Sequence, residues 1–451
     1  MFIQNRSLWS QTIFTVTLIF IGIANLAYGA SSGVHQNENQ SAQPLANGSP
    51  LLTLADAIDR ALADNPNLAE MQARAEAFAA IPSQVGTLPD PILSFNAMNL
   101  PTNTFDLSQE PMTQTQFGIN QAFPFPGKLG LREEAAQYEA EAAAKDVDET
   151  RFRLLRDVKT TWWAVFNLDK AQEIVLRNQA LLRQFIQIAQ TKYRVGKGLQ
   201  QDVLLAQLEL SKLLDLDLRL EGARRSEAAR LNALLSVPPD QPAQLPRDVS
   251  LDLPRLKDEK AFYQLADQYR PLLATQESII QASRSRVELA KKDYYPDFNV
   301  GAAYGIRSGD DIGRGSRADL ASFRLSMNLP IFTGRKQSKA VSQRRSEMLQ
   351  QTFKLRDLRN FVQADISKAL ADYQRARDRF ELFKTGILPQ ARQTVASMLA
   401  GYQVNKVDFL NLVSAQVTEY NYEISYWQML SEANQALARL VAAVGVENIN
   451  E

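Results

Sequence analysis

Residues 131–195 read LREEAAQYEAEAAAKDVDETRFRLLRDVKTTWWAVFNLDKAQEIVLRNQALLRQFIQIAQTKYRV and contain neither glycine nor proline. A second stretch with the same property covers residues 335–385. Each follows a short aromatic segment that ends in a glycine and a basic residue, Gly127-Lys128 in the first case and Gly334-Arg335 in the second. An unbroken helix rises ~1.5 Å per residue, so the first stretch alone would reach roughly 100 Å. The recurrence of so long a rod predicts a duplicated, elongated protein that spans a distance.

The composition excludes several kinds of enzyme chemistry. The chain of 451 residues has no cysteine and one histidine, His35, which excludes disulfides, cysteine-ligated zinc, iron–sulfur clusters and thiol catalysis. Its 50 basic and 50 acidic residues cancel, so nothing indicates a nucleic-acid partner. The acidic pairs at 133–134 and 310–311 have neither a matching histidine nor a phosphate-binding glycine loop. We therefore predict no catalysis, no cofactor and no bound metal.

The N-terminal residues predict export. Arg6 precedes a mostly apolar run at residues 13–24, and small residues at 27–30 offer a cleavage site. Residues 1–29 are interpreted as a signal peptide and residues 30–50 as a flexible polar lead-in. An N-terminal membrane anchor is the alternative, although the apolar run is short for a span of ~20 residues. Without cysteine, lipid attachment at an N-terminal cysteine is excluded.

The two halves of the chain share ordered landmarks at an offset of roughly 200 residues, the signature of an internal repeat. We therefore divide the mature chain into a first repeat at 51–250, a second at 251–447 and a tail at 448–451. A coincidence of helix breakers is the alternative. The paired landmarks are Pro66 and Pro271, Leu88-Pro89-Asp90 and Tyr295-Pro296-Asp297, Tyr193 and Tyr402, and Ala206-Gln207 and Ala415-Gln416.

The helical segments carry apolar residues at alternating steps of four and three, which is typical of helices that pack by knobs into holes. The leucines of residues 214–220 instead alternate with charged residues, a period typical of strands. Helical neighbours on both sides favour helix, and the additional exposed leucines predict that subunits pack side by side. Gly386 and Pro389 predict a kink or break in the second rod. The seam positions are Ala171, Val175, Asn178, Leu182, Phe185, Ala189, Val203, Ala206, Leu210, Leu213, Leu410, Val413, Val417, Tyr420, Ile424 and Trp427.

Each repeat also has a pair of segments in which apolar residues alternate with polar or small ones. These strand segments are 92–100, 115–123, 298–306 and 322–329. The pattern is typical either of a barrel wall in lipid or of half a soluble sandwich. No later segment resembles a transmembrane helix, so a membrane crossing by the mature chain would need strands closed into a barrel. Four strands cannot close one, so several subunits would be required, with polar loops at 101–114 and 307–321 outside.

The ordered set of motifs resembles the TolC family of outer-membrane efflux proteins over residues 51–446. Its most specific signs are Phe125-Pro126-Gly127-Lys128, Tyr193-x-x-Gly196, and Asp202-Val203-Leu204-x-Ala206-Gln207. The resemblance implies a mainly α-helical homotrimer of long antiparallel hairpins. Its strands would form one twelve-stranded barrel in outer-membrane lipid, and its helices a tunnel through the periplasm. A periplasmic adaptor protein and a proton-driven inner-membrane pump are the implied partners.

Carried over to this sequence, the resemblance implies three groups of site residues. Asp202 takes the family's acidic position at the periplasmic aperture, its counterpart in the second repeat is Asn411, and Asp408 lies one helical turn earlier. The alternative role for Asp202 is to cap the return helix. The adaptor-docking residues are Val195, Gly196, Lys197, Val404, Asn405 and Lys406, and the barrel-to-helix turns contain Pro126, Gly127, Lys128, Gly334 and Arg335.

We therefore predict a passive exit duct of a tripartite efflux system, located in the outer membrane and extending into the periplasm. The segment FPFPGK at 123–128 is similar to the branch of the family that serves cation-efflux pumps, so the substrates would be metal cations or small toxic molecules. Two alternatives stay open. One is an exported coiled-coil scaffold or adhesin with a small β head, and the other is an exit duct for type I protein secretion.

Overall fold

A computed structural model describes residues 51–311 and 313–449 of the chain. The predicted signal peptide and lead-in, with His35, lie outside the described residues, as do the last two residues of the predicted tail. Within the described part, helices make up most of the structure and four long antiparallel strands form one sheet. The predicted fold class, mainly α with a four-stranded β part and an internal duplication, is confirmed.

The first repeat contains five helices and two strands in the order helix, strand pair, helical hairpin. They are α1 (Leu54–Asp64), α2 (Pro66–Ala79), α3 (Ile81–Gly86), β1 (Ile92–Met98), β2 (Gln114–Phe123), α4 (Lys128–Arg194) and α5 (Gln200–Leu234). Helix α1 begins with a capping box, in which the Thr53 hydroxyl accepts from the Asp56 amide while the Asp56 carboxylate accepts from the Thr53 amide. Asn65 caps α2 and leads directly into Pro66 at its first position.

The second repeat follows the same order. Its elements are α6 (Glu259–Tyr269), α7 (Pro271–Lys292), β3 (Phe298–Ile306), β4 (Asp310–Asp311), β5 (Gly315–Ser316), β6 (Leu320–Met327), α8 (Gln337–Leu382), a π-helical turn (Phe383–Ile387), α9 (Leu388–Gln403) and α10 (Phe409–Val444). The segment 307–321, predicted as a loop, contains the small β4–β5 hairpin. Positive φ at Gly313 in its turn and at Gly315, the first residue of β5, and the ion pair between Arg317 and Asp311 account for this added order.

Helix α4 is one unbroken helix of 67 residues, as the absence of glycine and proline predicts, and at ~1.5 Å per residue it is about 100 Å long. It begins at Lys128 because Gly127 adopts a positive φ of 87° that turns the chain out of the sheet. Gly130, which the sequence leaves before the rod, lies inside its first turn.

The second rod passes through Pro389 without a break in its helical order. Leu388 donates its backbone N–H to the carbonyl of Phe383, five residues earlier, so the chain forms a wide π turn before α9. Proline in a regular helix clashes with the carbonyl four residues before it and leaves that carbonyl without its donor. The wide turn relieves this conflict, because π turns absorb an irregularity inside an otherwise regular helix.

The seam between the hairpins is packed as predicted, with one exception. Val175, Leu182 and Phe185 of α4 are buried against α5 and α10. Leu410 is 57% exposed, so its assignment to the seam is wrong. Phe409 and Leu412 fill the seam instead. Helix α10 starts at Phe409 itself, so its first inward position comes one residue earlier than the repeat suggests.

The strands are antiparallel in the order β1-β2-β3-β6, and their register places the apolar side chains on one face. Leu93 lies opposite Ile119, Ile119 opposite Ala302, and Ala302 opposite Phe323, which forms one apolar row across the sheet. The next row along runs through Ser94, Gly118, Ala303 and Ser322 on the other face. The apolar row is open to its surroundings, since Leu93 is 79% and Phe323 87% exposed.

None of the helices in the described part of the chain combines the length and hydropathy that a membrane crossing requires.

A buried ion pair between α4 and the start of α7 ties the two repeats together. Glu149 on α4 accepts from the Arg270 guanidinium at 2.9 Å and from Arg153 at 2.9 Å. The side chains of Glu149 and Arg270 are 3% and 11% exposed, and burial lowers the pKa of Arg270 while the charge of Glu149 opposes that shift. Removing one member would therefore leave a buried charge without its counter-ion.

We expect Glu149→Gln to destabilise the protein by about 3–5 kcal/mol, the usual cost of breaking a buried pair from one side. The matched control is Glu288→Gln, which removes the exposed partner of Lys291 and should cost less than about 1 kcal/mol. Thermal unfolding of the purified protein, followed by circular dichroism, measures both. Equal midpoints for the two variants would contradict a structural role for the buried pair.

Candidate functional site: the hairpin tips and the barrel-to-helix turns

The two hairpins end in turns of the same construction. Gly196 has a φ of +69° and Asn405, at the equivalent position, a φ of +59°. In the first turn the Lys197 amide donates to the Lys192 carbonyl at 2.8 Å, and in the second the Lys406 amide donates to the Gly401 carbonyl at 2.9 Å. These bonds close the ends of α4 and α9 by the Schellman pattern, which needs a left-handed residue. Gly and Asn are the residues that adopt it most readily.

Lys192 joins the two turns of one chain. Its ammonium donates to the carbonyl of Tyr402 at 2.8 Å and to Oδ1 of Asn405 at 2.8 Å. The same ammonium lies 3.9 Å from the centroid of the Tyr402 ring, within range of a cation–π contact. The residue equivalent to Lys192 in the second repeat is Gly401, which has no side chain to make the reciprocal contact.

Tyr402 is the buried centre of the tip. Its ring is 6% exposed and lies 5.2 Å from the ring of Phe409. Its hydroxyl has no hydrogen-bond partner among the described residues. Burial raises the pKa of the Tyr402 hydroxyl, and the negative charge of Asp202 raises it further. The carboxylate of Asp202, on the first hairpin, is therefore close enough to influence the pKa of the Tyr402 hydroxyl on the second hairpin.

The three predicted aperture residues occupy the starts of the return helices. Asp202 lies in the first turn of α5, where Leu199 is the N-cap residue, so the alternative that Asp202 caps this helix is wrong. Its position still suits a negative charge, because helix N-termini favour anions. Asp408 is the N-cap residue of α10 but makes no side-chain capping bond, and both Asp408 and Asn411 are exposed.

The predicted adaptor-docking residues lie together at the tip, where Lys192 joins the two turns. Val195 and Val404, at equivalent positions, are each 63% exposed, and Leu199 beside them is 59% exposed. Lys197 and Lys406 are also exposed and make no ion pair within the described part of the chain. The tip therefore presents apolar side chains edged by positive charge.

At the other end of α4, the first barrel-to-helix turn is packed into its own chain. Lys128 is 3% exposed, and its ammonium lies 3.0 Å from carboxylate oxygens of both Asp293 and Asp297. The ring of Phe125 stacks on Tyr295 at 4.5 Å. Burial by itself raises the pKa of Asp297, but hydrogen bonds from the Phe125 amide and the Lys128 ammonium outweigh it and lower the pKa overall.

The second barrel-to-helix turn has no such packing. Gly334 and Arg335 are exposed, and the Arg335 guanidinium has no hydrogen bond or ion pair among the described residues. Sequence reasoning placed both barrel-to-helix turns but missed Asp293 and Asp297 as the partners of Lys128, and at the hairpin tips it missed Lys192. Asp297 was visible as a repeat landmark, yet its pairing with Lys128 depends on residues 169 positions apart.

Long paired helical hairpins joined by tight turns to an antiparallel sheet with an exposed apolar face define a class of membrane channel protein. The chain belongs to the outer membrane efflux protein family, whose model matches residues 57–237 and 262–446. The two matched segments coincide with the two structural repeats. The protein is accordingly an efflux channel of the outer membrane that extends into the periplasm, and channels of this family are not enzymes.

The chain is also similar to two named relatives. Cobalt-zinc-cadmium resistance protein CzcC of Cupriavidus metallidurans is 21% identical over 400 residues, which cover 87% of this chain and 90% of CzcC. Protein CyaE of Bordetella pertussis is 24% identical over 341 residues, which cover 73% of this chain and 71% of CyaE.

Solved structures share the fold. The outer-membrane channel OprN matches with a TM-score of 0.72 and 18% identity over 87% of this chain and 89% of its own. CusC matches with a TM-score of 0.72 and 16% identity over 87% of this chain and 92% of its own. The open state of the MtrE channel of Neisseria gonorrhoeae matches with a TM-score of 0.70 and 16% identity, over 87% and 89%.

We expect Lys192→Met to loosen the tip, since hydrogen bonds from a charged donor contribute about 1.5–3 kcal/mol each. The substitution should shift the equilibrium between joined and separated hairpin turns toward separation by roughly tenfold or more. Single-channel conductance in planar lipid bilayers measures that shift. Lys197→Met removes an exposed lysine five residues away and should leave the conductance unchanged. If both variants behave as the unaltered protein does, Lys192 does not hold the hairpins together.

Proposed function

We propose that the protein is the exit duct of a tripartite efflux system and acts as a homotrimer with a periplasmic adaptor and an inner-membrane pump. The observation that carries the proposal is the sheet, which has an exposed apolar face and an outer edge on each of β1 and β6 that no strand of the described chain fills. Three such sheets would supply the twelve strands of one barrel. The hairpins would then line one continuous tunnel below it.

The cargo we propose is divalent metal cations, expelled by a pump that supplies the energy. Support comes from CzcC, whose name describes resistance to cobalt, zinc and cadmium. The described residues hold no group of three or more histidine, cysteine or carboxylate side chains placed to bind a metal. A duct of this kind would let ions pass without binding them tightly, and selection would fall to the pump.

The aperture would lie at the hairpin tips, with Asp202 and Asp408 as its acidic residues and Asn411 beside them. Carboxylates from three subunits would form rings that favour the passage of cations. Opening would require the hairpins to part, and the adaptor would have to bind the open arrangement more tightly than the closed one. The adaptor-docking surface would be the exposed turns at 195–197 and 404–406.

The docking role is tested with the double variant Val195→Asp, Val404→Asp. We expect it to lose co-purification with the adaptor and resistance to zinc, cobalt and cadmium, because buried unpaired carboxylates would oppose an apolar contact. Trimer formation and conductance in planar bilayers should stay unchanged. The control is Val195→Thr, Val404→Thr, which keeps the branched shape without charge and should retain most of the resistance.

Several outcomes would count against the proposal. A protein that stays monomeric and soluble without detergent would favour the scaffold or adhesin. A trimer without conductance would contradict the duct. Resistance to metals unaffected by loss of the protein, together with failure to secrete a polypeptide, would favour the type I secretion duct.

A further inference from the structure

The chain contains two copies of one turn, and only the first is packed. In the first copy, Phe125 stacks on Tyr295 and Lys128 is enclosed by Asp293 and Asp297. In the second copy, Phe332 is 69% exposed and Arg335 is exposed with no partner within the described residues. The two copies are related by an offset of 207 residues between Gly127 and Gly334. The same turn therefore occurs twice, and only the first copy has its aromatic and acidic partners within the described residues.

The sheet explains why the second counterpart is missing. The first turn follows β2 and meets the aspartate turn that precedes β3, and β2 and β3 are neighbours in the sheet. In the duplicated structure β6 corresponds to β2, and β1 corresponds to β3. The second turn should thus meet the turn that precedes a β1. Within one chain β1 and β6 are opposite edges of the sheet, so that β1 must belong to another copy.

The turn before β1 has the chemistry that this contact needs. Leu88-Pro89-Asp90 corresponds to Tyr295-Pro296-Asp297. Leu88 is 44% exposed, and Asp90 is exposed with no ion pair among the described residues. Leu88 and Asp90 are therefore exposed near one edge of the sheet, and Phe332 and Arg335 are exposed near the other.

The helices above the sheet show the same imbalance. Helix α4 packs against α2, α3 and α7, whereas of these three helices only α7 packs extensively against α8. On α8, Leu349 is 51% and Phe361 is 62% exposed. At the same offset of 207 residues these correspond to Ala142 and Leu154 of α4, which are 5% and 7% exposed. The uncovered flank of α8 is thus the flank that is covered in the first repeat.

We propose that this surface, formed by Phe332, Arg335 and the exposed flank of α8, is bound by the Leu88–Asp90 turn and helix α2 of a second copy. Arg335 of one copy pairs with Asp90 of the next, as Lys128 pairs with Asp297 inside the chain. Phe332 packs on Leu88 of that copy, as Phe125 packs on Tyr295. The inference rests on the proposed homotrimer and names the contact that would close it.

Charge reversal tests the pair. Arg335→Asp and Asp90→Arg, each alone, should lower the fraction of trimer in mild detergent roughly tenfold or more, because opposed like charges at an interface are strongly unfavourable. The double variant should restore the trimer. Arg314→Asp, an exposed arginine of the outer loop, is the control and should leave the trimer unchanged. Size-exclusion chromatography with light scattering gives the oligomer mass.

Cysteine crosslinking provides a second readout, with no background from a chain that lacks cysteine. Phe332→Cys and Leu88→Cys proteins, expressed together, should form a covalent dimer with a short bifunctional maleimide. Phe125→Cys, Tyr295→Cys in one chain should crosslink within the monomer and calibrates the reagent. A covalent dimer and charge rescue together support the contact.

The failures are distinguishable. Wild-type trimers that neither crosslink nor respond to the reversals would overturn this contact but leave the duct intact. The absence of any wild-type trimer would overturn the proposed function itself. If Arg335→Asp weakens the trimer only in vesicles containing anionic phospholipid, and Asp90→Arg does not rescue it, the surface binds lipid headgroups and the proposal is wrong.

Discussion

The outer edges of the sheet, on β1 and β6, impose the constraint on which the rest of the structure depends. Their backbone donors and acceptors have no partner strand within the described residues. In hydrocarbon each unpaired group would cost several kcal/mol, so a sheet in a membrane must be closed. The register sends Phe323 and Leu93 outward and Ser322 and Ser94 to the other face, which suits lipid on one side and water on the other. In a single copy the apolar face stays exposed, and the backbone groups at the outer edges of β1 and β6 have no partner strand within the described residues.

The first barrel-to-helix turn sets the direction in which the long helix leaves the sheet. Gly127, with its positive φ, redirects the chain from β2 into α4, and Lys128 fixes the turn against Asp297. From that point a rod of about 100 Å leads to the tip. There Lys192 couples the two hairpins of one chain, while the equivalent Gly401 cannot couple the next pair in the same way. The first turn therefore has a contact to the second turn of the same chain that the second turn, with Gly401 at the equivalent position, cannot repeat.

Much of the fold was predictable because it depends on local patterns. The absence of Gly and Pro predicted the long helix α4, and the period of two predicted which side chains of β3 share a face. Equivalent landmarks in the two halves predicted the duplication. The π turn before Pro389 was not predictable, since a proline predicts an irregularity in the helix but not the kind of turn that accommodates it. The Leu410 error arose because the start of α10 sets its phase. Lys192 was missed because its partners lie 210 and 213 residues away, and nothing local marks a lysine as paired.

Labelling of single cysteines along β6 tests most directly whether the apolar face meets hydrocarbon. Each residue from 322 to 327 is replaced in turn, and the protein in lipid vesicles is treated with a charged, membrane-impermeant thiol reagent. Cysteines at Ser322, Arg324 and Ser326 should be labelled, and those at Phe323, Leu325 and Met327 protected. Equal labelling of both sets, or protection of the polar set alone, would show that the sheet is not a barrel wall in lipid.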